Sequence, residues 1–312
     1  MIGHRPLKFL IRRKEEMKGF RQKLKERQEK VSSLVCVGLD PLPEKVPECI
    51  RGGSLWGKVA IQMKAIVDST ASHALMFKPQ KAHYEAIPEG QKALQAIVDH
   101  IHYHYPDIPV FLDCKRGDIG RTQERYRIAH FEIDGVDGMN FSPYMGKDCM
   151  EWLIDKKNPS NAIVGLCYTS NSSAREVQDV ILSDGRAYWE FMAATVLKWA
   201  EELEVVQDAG LVMAAAYEKP KKSGNVFSDH LTHCRKIVGN KLWFLIPGIG
   251  TQGGFVEETV KTAYAGPGSI AINSSSGITQ ASLSEDFAEA AAREAKKLRD
   301  QINEALGLTG LA

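Results

Sequence analysis

Hydrophobic residues occur along the chain in short runs that alternate with longer stretches of mixed apolar and polar residues. The runs are rich in Val, Ile, Leu and Phe, as is typical of parallel strands buried on both faces. The stretches between them, such as residues 88–105 and 188–203, have the spacing of amphipathic helices. The predicted strands are Leu34–Asp40, Ala74–Gln80, Val110–Lys115, Gly138–Ser142, Ala162–Thr169, Gly210–Ala216, Leu242–Pro247 and Ser269–Ser274.

This alternation of strands and helices favours a closed (β/α)₈ barrel of the TIM type over an open doubly wound α/β sheet. Residues 1–31 stand apart as a charged N-terminal helical extension, which we expect to lie solvated on the domain. Residues 32–312 are predicted to form the barrel domain, since no linker or repeat divides them. In such barrels the active-site groups lie where the strands end and enter the following loops.

Composition excludes several classes of function. The chain has 40 Lys and Arg against 39 Asp and Glu, a net charge of +1, whereas nucleic-acid binders normally carry a basic excess. No apolar run approaches the roughly 18 residues of a membrane-spanning helix. The six cysteines are scattered without a C-x-x-C pair, which favours a reduced, cytoplasmic protein. We therefore expect neither a nucleic-acid nor a membrane partner.

The first three predicted strands each end in charged residues. Strand one ends at Asp40, strand two reaches Lys78, and strand three ends at Asp113 and Lys115. One charged strand end is ordinary, because strand ends meet water. Three in succession at the carboxyl ends of barrel strands indicate a cluster of charged side chains at one rim.

Asp113 and Lys115 are the most informative pair in this cluster. At positions i and i+2 of a strand their side chains point to the same face. Burying a carboxylate and an ammonium in a barrel is costly unless the two pair and gain further partners. Lys78 and Asp118 would supply these partners, giving two acids and two bases in alternation. The pattern alone leaves open a purely structural salt bridge at the rim.

Glycine- and serine-rich loops follow strands seven and eight, at residues 247–254 and 273–278. Barrels commonly bind phosphate there through backbone N–H groups, so a phosphorylated ligand is expected. Residues 248–253 also match the G-x-G-x-x-G dinucleotide fingerprint. The match follows the seventh strand rather than the first, and no acidic residue lies between Glu258 and Glu285. An NAD-linked oxidoreductase would rest on this match alone.

Seven segments form a distinctive series: VGLD at 37–40, FKPQ at 77–80, DCKRGDIGRT at 113–122, SPYMG at 142–146, TSN at 169–171, PGIGTQGG at 247–254 and INSSSGI at 272–278. Together they resemble the orotidine 5′-phosphate decarboxylases, in particular the longer subfamily with FKPQ and DxKRGDIG motifs. The resemblance covers residues 33 to 282 in order. It implies a barrel enzyme that converts orotidine 5′-phosphate to UMP and CO₂ in pyrimidine biosynthesis, with no cofactor and no metal.

The resemblance implies catalytic roles for four of the charged residues. Lys115 would protonate the C6 carbanion that remains when CO₂ departs, and Asp113 would lie beside the substrate carboxylate. Lys78 and Asp118 would complete the charged network. An ammonium held at the developing carbanion is the kind of preorganised electrostatic stabilisation that this chemistry needs.

Further residues are implied to contact the substrate. Asp40 and Thr122 would bind ribose hydroxyls, Ser170 would contact the pyrimidine, and the loop at 247–254, with Gln252, would close on the phosphate. The implied substrate-binding residues are Asp40, Ile119, Thr122, Ser170, Pro247, Gln252, Gly253, Gly254, Ser276 and Gly277. Since Asp118, Ile119 and Thr122 would reach into the neighbouring subunit's site, the resemblance also implies a homodimer with shared active sites.

One departure from the family pattern concerns the phosphate. The motif after strand eight usually contains an arginine that grips the phosphate, and here the position is Ser276. Lys219, Lys221 or Lys222, in the loop after strand six, would be substitutes. The change leaves open a nucleotide-binding pseudoenzyme on the same fold. A Mg²⁺-dependent sugar-phosphate decarboxylase or aldolase on a related barrel is a further alternative, which the FKPQ motif and Thr122 disfavour.

Overall fold

Eight parallel strands form one closed sheet in the computed structural model, which describes residues 18–155, 160–219, 223–249 and 255–308. The strands are β1 (Val35–Leu39), β2 (Met76–Pro79), β3 (Phe111–Arg116), β4 (Gly138–Phe141), β5 (Ala162–Tyr168), β6 (Ala209–Met213), β7 (Trp243–Ile246) and β8 (Ile270–Ser274). Their order around the sheet is β2-β1-β8-β7-β6-β5-β4-β3. The ends of this order meet where Phe77 pairs with Val110 and Gln80 with Asp113, so the sheet is a barrel.

The predicted (β/α)₈ TIM barrel is therefore confirmed, with small differences at the strand ends. The largest difference is in β6, which ends at Met213 rather than Ala216. Its next residues leave the ladder because the N–H of Ala214 turns to the carbonyl of Tyr168 and that of Ala215 to Pro247. A small antiparallel hairpin then pairs Tyr217–Glu218 with Val226–Phe227.

Helices cover the outside of the barrel. They are α1 (Phe20–Val31), α2 (Leu55–Thr70), α3 (Lys81–Glu85), α4 (Gly90–His104), α5 (Gly120–Arg127), α6 (Asp148–Glu151), α7 (Arg175–Gln178), α8 (Tyr188–Glu202), α9 (Asp229–Val238), α10 (Val256–Ala263), α11 (Ser276–Thr279) and α12 (Phe287–Ala305). Short 3₁₀ turns occur at Pro43–Lys45, Pro143–Met145 and Ser172–Ala174, and a π-helical turn at Ile128–Asp134. In the ranges that the structure describes, no helix combines the length and apolar character that crossing a bilayer requires.

The alternation of buried and exposed residues explains how these elements pack. All five residues of β1 are buried, as expected for a strand covered on both faces. In α4 the buried residues, among them Leu94, Ile97, Val98 and Ile101, recur at helical spacing and form one stripe. Helix α2 packs against both α4 and α12. The contact between α2 and α12 closes the ring of helices where the start and the end of the barrel meet.

Helix α1 closes the amino-terminal end of the barrel, so the predicted solvated helix is wrong for this part of the extension. Phe20 and Leu24 are completely buried. The Phe20 ring stacks on Trp243 with centroids 5.4 Å apart and meets Phe111 edge-on at 6.1 Å. Phe20 and Leu24 are among the few apolar residues of α1, whose other residues are mostly charged or polar. The local pattern therefore indicates a helix exposed to solvent. Residues 1–17 lie outside the described residues, and the boundary between residues 31 and 32 stays a prediction.

The N-terminus of α1 is held by a carboxylate from the barrel. Gly19 precedes the helix and supplies no side-chain cap of its own. Instead, Asp208, one residue before β6, accepts a hydrogen bond from the N–H of Arg21 at 2.9 Å. The carboxylate approaches so closely that a Cβ at Gly19 would lie 2.5 Å from one of its oxygens, so a larger residue there would displace the Asp208 side chain. The opposite, carboxyl-terminal end of the barrel is left open for ligands.

Candidate active site

A cavity of about 480 Å³ opens at the carboxyl-terminal ends of the strands. Its charged wall comes from the ends of β1, β2 and β3, and a polar neutral wall comes from the loops after β5, β7 and β8. Apolar side chains, including Leu42, Val212 and Leu245, line the space between the two walls. The cavity lies where barrel enzymes carry their active sites, and its size suits a small organic ligand.

Four charged side chains form a row in which acids and bases alternate. Lys78 Nζ lies 3.8 Å from Asp40 Oδ1 and 3.3 Å from Asp113 Oδ2. Lys115 Nζ lies 2.6 Å from the other oxygen, Asp113 Oδ1. Register explains this convergence, because Gly38 pairs with Lys78 across β1 and β2, and Gln80 pairs with Asp113 across β2 and β3.

The row has a buried inner end and an accessible outer end. Lys78 is only 3% exposed, whereas Lys115 is 48% exposed and lines the cavity. Burial alone would lower the pKa of Lys78, but the carboxylates of Asp40 and Asp113 outweigh burial and raise this pKa above its ordinary value. Burial would likewise raise the pKa of Asp113, but Lys78 and Lys115 overcome it and hold this pKa far below its ordinary value. Both inner groups therefore stay charged at neutral pH.

Asp40 presents an unused acceptor at the rim of β1. Its Oδ1 atom is buried without a hydrogen-bond partner, and the nearest ammonium, that of Lys78, is beyond hydrogen-bonding distance at 3.8 Å. A buried carboxylate oxygen left unbonded costs free energy, so a donor from a ligand would stabilise it. A hydroxyl group in the cavity would be such a donor.

The loop after β5 brings Ser170 to the opposite wall of the cavity. Gln178 of α7 fixes the neighbouring residue, because its side chain accepts from the Thr169 N–H and donates to the Thr169 hydroxyl, both at 2.9 Å. Thr169 also donates to Asn171 at 2.7 Å. The polar groups of this loop are therefore ordered by the protein itself.

The loops after β7 and β8 border the remaining end of the cavity. Pro247 and Ser276 line it, while Gly277 follows in the first turn of α11 and does not. The strands approach closely here, since a Cβ at Gly38 of β1 would lie 1.9 Å from the Ser275 hydroxyl oxygen. The predicted loop residues Gln252, Gly253 and Gly254 lie outside the described residues.

Besides Gly277, three predicted site residues that the structure describes do not line the cavity of their own chain: Asp118, Ile119 and Thr122. Within one chain Asp40 lies next to Lys78, and the role of Asp118 in the partner's site stays a prediction. The carboxylate of Asp118 instead accepts the N–H of Ile119 at 2.9 Å, at the turn into α5. Ile119 is 52% exposed, which is unusual for so large an apolar side chain.

The end of the cavity near Ser276 has no arginine or lysine among its described lining residues. Lys219 does not line the cavity, and its ammonium lies over the Phe227 ring, 4.7 Å from the centroid. Lys221 and Lys222 lie outside the described residues. The serine that replaces the expected arginine therefore leaves a neutral wall of hydroxyl and amide groups, including Ser275 and Gln280.

Sequence reasoning missed one polar residue that touches the charged row. Asn140 lies within β4, is 1% exposed, and donates from Nδ2 to Asp113 Oδ1 at 2.7 Å. A signal was present, because Asn140 interrupts the apolar run of β4. A buried amide inside a barrel strand needs partners, and the carboxylate and backbone of the adjacent β3 are the available ones.

Comparison with known proteins adds a family relationship to this geometry. The model of the orotidine 5′-phosphate decarboxylase / HUMPS family matches residues 33–293. The orotidine 5′-phosphate decarboxylase of Ralstonia pickettii (strain 12J) is 37% identical over 286 residues, which are 91% of this chain and 98% of the relative. The match therefore covers the barrel and the whole charged row.

Solved structures give the same relationship. Leishmania donovani UMP synthase superposes with a TM-score of 0.75 and 30% identity, over 92% of this chain, which spans just 56% of that longer chain. A putative orotidine-monophosphate-decarboxylase from Toxoplasma gondii gives a TM-score of 0.76 and 26% identity, over 93% of this chain and 99% of the other.

Proposed function

The chain belongs to the orotidine 5′-phosphate decarboxylase / HUMPS family, and on that basis we propose that it is a carboxy-lyase that converts orotidine 5′-phosphate to UMP and CO₂. The observation that carries the proposal is the row Asp40–Lys78–Asp113–Lys115, whose outer ammonium faces the cavity. A row of four charges with a buried lysine at its centre is expensive to fold, and a structural salt bridge would need only two of them.

Lys115 and Asp113 carry out the reaction in this proposal. The substrate's carboxylate lies beside Asp113, and its C6 atom lies beside Lys115 Nζ. When the C6–carboxylate bond breaks, the electron pair stays on C6, and the ammonium stabilises the developing negative charge. The proton then moves from Nζ to C6, and the neutral amine regains a proton from solvent. The low pKa of Asp113 keeps this residue ionised. Loss of CO₂ therefore also removes the repulsion between the substrate's carboxylate and that of Asp113.

Substrate binding follows from the rest of the cavity. Asp40 is proposed to accept a hydrogen bond from a ribose hydroxyl, since its Oδ1 atom has no hydrogen-bond partner among the residues that the structure describes. Ser170 is proposed to contact the pyrimidine, between the apolar side chains of the barrel. Pro247 and Ser276, with residues 252–254 and Gly277, are proposed to receive the phosphate through hydroxyl and backbone N–H groups.

We further propose a homodimer in which Asp118, Ile119 and Thr122 complete the partner's site. These residues do not line the cavity of their own chain, and Ile119 is exposed. The neighbouring loop after β4 exposes Tyr144 by 82% and Met145 by 49%, so two adjacent loops present apolar side chains to solvent. An exposed apolar patch of this kind supports a protein interface. All six cysteines are free, which supports a cytoplasmic location.

A turnover assay tests the proposed reaction directly. Purified protein with orotidine 5′-phosphate and no added cofactor should deplete the substrate's absorbance and release CO₂ and UMP in equal amounts. Binding of the nucleotide without turnover would instead establish the pseudoenzyme. Turnover that EDTA abolishes and Mg²⁺ restores would establish the metal-dependent alternative.

A further inference from the structure

The side chain of Asn140 makes three hydrogen bonds to three consecutive residues of β3. Its Oδ1 atom accepts the backbone N–H groups of Cys114 at 2.9 Å and Lys115 at 2.7 Å. Its Nδ2 group donates to Asp113 Oδ1 at 2.7 Å, the same oxygen that receives Lys115 Nζ. One buried side chain therefore fixes both the carboxylate and the backbone of the lysine.

These contacts occur at an irregularity in the sheet. Leu112 pairs with Met139 and Arg116 with Phe141, so the register between β3 and β4 shifts between Leu112 and Arg116. Regular ladder bonds are interrupted there, and the amide oxygen of Asn140 satisfies the N–H groups that the ladder leaves over.

Lys115 has an unfavourable backbone conformation within this bulge. Its φ angle is +46°, in the left-handed region that residues with a Cβ rarely adopt. Such a conformation persists only when surrounding contacts hold it. The bond from the Lys115 N–H to Asn140 is a direct contact of this kind, and the bend turns the lysine side chain back to Asp113.

We propose that Asn140 is a positioning residue for the decarboxylation: it holds Lys115 in its bent conformation and stops Asp113 from rotating. The inference rests on the proposed function. With Asn140 in place, Asp113 Oδ1 accepts hydrogen bonds from Lys115 and Asn140, while Oδ2 pairs with the ammonium of Lys78. Without it, the lysine backbone can relax to extended geometry, which moves Nζ away from C6.

The first test is Asn140→Leu, which keeps the size of the side chain but removes all three bonds. We expect kcat to fall about 10- to 100-fold, since the bonds act on groups used in the transition state. KM and the dissociation constant for UMP should stay within about threefold. Ser33→Ala is the matched control, because Ser33 is also buried and bonds to the Val35 N–H at 3.1 Å, at the other end of the barrel. It should leave kcat unchanged.

The second test, Asn140→Asp, remains decisive if the leucine variant does not fold. A protonated aspartic acid can donate to Asp113 as the amide does, whereas its anion cannot and repels that carboxylate. The titratable groups that line the cavity with position 140 are Asp113 and Lys115 of β3, Lys78 of β2, Asp40 after β1 and His83 of α3. We expect kcat of this variant, relative to the parent at the same pH, to rise about tenfold or more as pH falls from 8 to 5.

The outcomes separate this inference from the proposed function. If the parent turns over substrate but the Leu variant keeps full kcat, or the relative kcat of the Asp variant does not change with pH, the positioning role is refuted alone. A parallel loss of kcat and UMP affinity in the Leu variant would indicate a general structural role and would also refute it. If the parent itself shows no turnover, the proposed function fails first.

Discussion

The ammonium of Lys115 lies 2.6 Å from the carboxylate of Asp113, two residues earlier on the same strand. The pair is asymmetric, because Asp113 is 14% exposed and Lys115 is 48% exposed. The buried partner restrains the direction of the lysine, and the exposed partner remains available to a ligand. This division of roles underlies the first prediction.

Lys115→Ala should abolish decarboxylation while the protein stays folded and still binds UMP, because the change removes the proposed proton donor to C6. Activity is measured by the loss of substrate absorbance, and folding by circular dichroism and thermal unfolding. Lys241→Ala, which removes an exposed lysine paired with Glu201, is the control and should be fully active. More than trace activity in Lys115→Ala without metal would contradict the mechanism.

Ser276→Arg should strengthen the binding of phosphorylated ligands by about 10- to 100-fold, since a charge-assisted hydrogen bond contributes about 1.5–3 kcal/mol. Calorimetry with UMP and with uridine measures the effect, which should be confined to the nucleotide. Ser276→Gln has similar length without the charge and should not reproduce the gain. An unchanged affinity would mean that another cation already contacts the phosphate, and Lys219→Ala would then be measured.

Mixed dimers test the proposed sharing of active sites. Lys115→Ala and Asp118→Ala should each be nearly inactive alone and regain activity after they are unfolded and refolded together. One site of a mixed dimer then combines an intact Lys115 with an intact Asp118. Random pairing makes about half the dimers mixed, so about a quarter of all sites should recover. If mass spectrometry finds mixed dimers but no activity returns, Asp118 does not act across the interface.

Asp208→Asn should stabilise the protein at neutral pH. Burial raises the pKa of Asp208 to about 6, although the N–H groups and cations of α1 oppose this shift. A carboxyl whose pKa is higher when folded favours the folded state at low pH, and this contribution is lost as pH rises from about 4 to about 6. The neutral amide keeps the acceptor for Arg21 without the buried charge. We expect a gain of about 1–3 kcal/mol in the free energy of unfolding at pH 7.5.

Urea titrations at pH 7.5 and pH 4.5 measure this difference, which should shrink at the lower pH. Asp107→Asn is a control for which the expected change in the free energy of unfolding has the opposite sign. Asp107 pairs with Arg27 and Lys30, and despite partial burial its pKa lies below the ordinary value. Its amide variant should lose stability at pH 7.5. A gain for Asp208→Asn that is equal at both pH values would rule out the titration as its cause.

The sequence predicts the barrel well because hydrophobic runs determine parallel strands almost independently of their neighbours. It also identifies Asp40, Lys78, Asp113 and Lys115 as convergent, since barrel topology brings all strand ends to one rim. It marks Asn140 only as a polar residue within the apolar run of β4, because the role of a side chain that replaces ladder bonds depends on the register between β3 and β4.

Helix α1 was misjudged for a related reason. Its charged residues dominate the local pattern. Burial of Phe20, in contrast, depends on packing against Trp243 and Phe111, which are distant in sequence. Packing of Phe20 and Leu24 in the core fixes the helix against the barrel, although most other residues of the helix are charged or polar. Patterns within one segment cannot report such partners.

The amino-terminal floor of the barrel affects how the chain folds during synthesis. Arg21 bonds to the carbonyl of Gly268, 247 residues later, and Phe20 packs on Trp243. Helix α1 therefore completes these contacts only after β7 and the turn before β8 have been synthesised. A nascent chain that stops before β7 lacks Trp243, so the face of Phe20 that stacks on this ring is exposed to solvent and open to aggregation or chaperone binding. Completion of the barrel and full burial of Phe20 are thus both late events in synthesis.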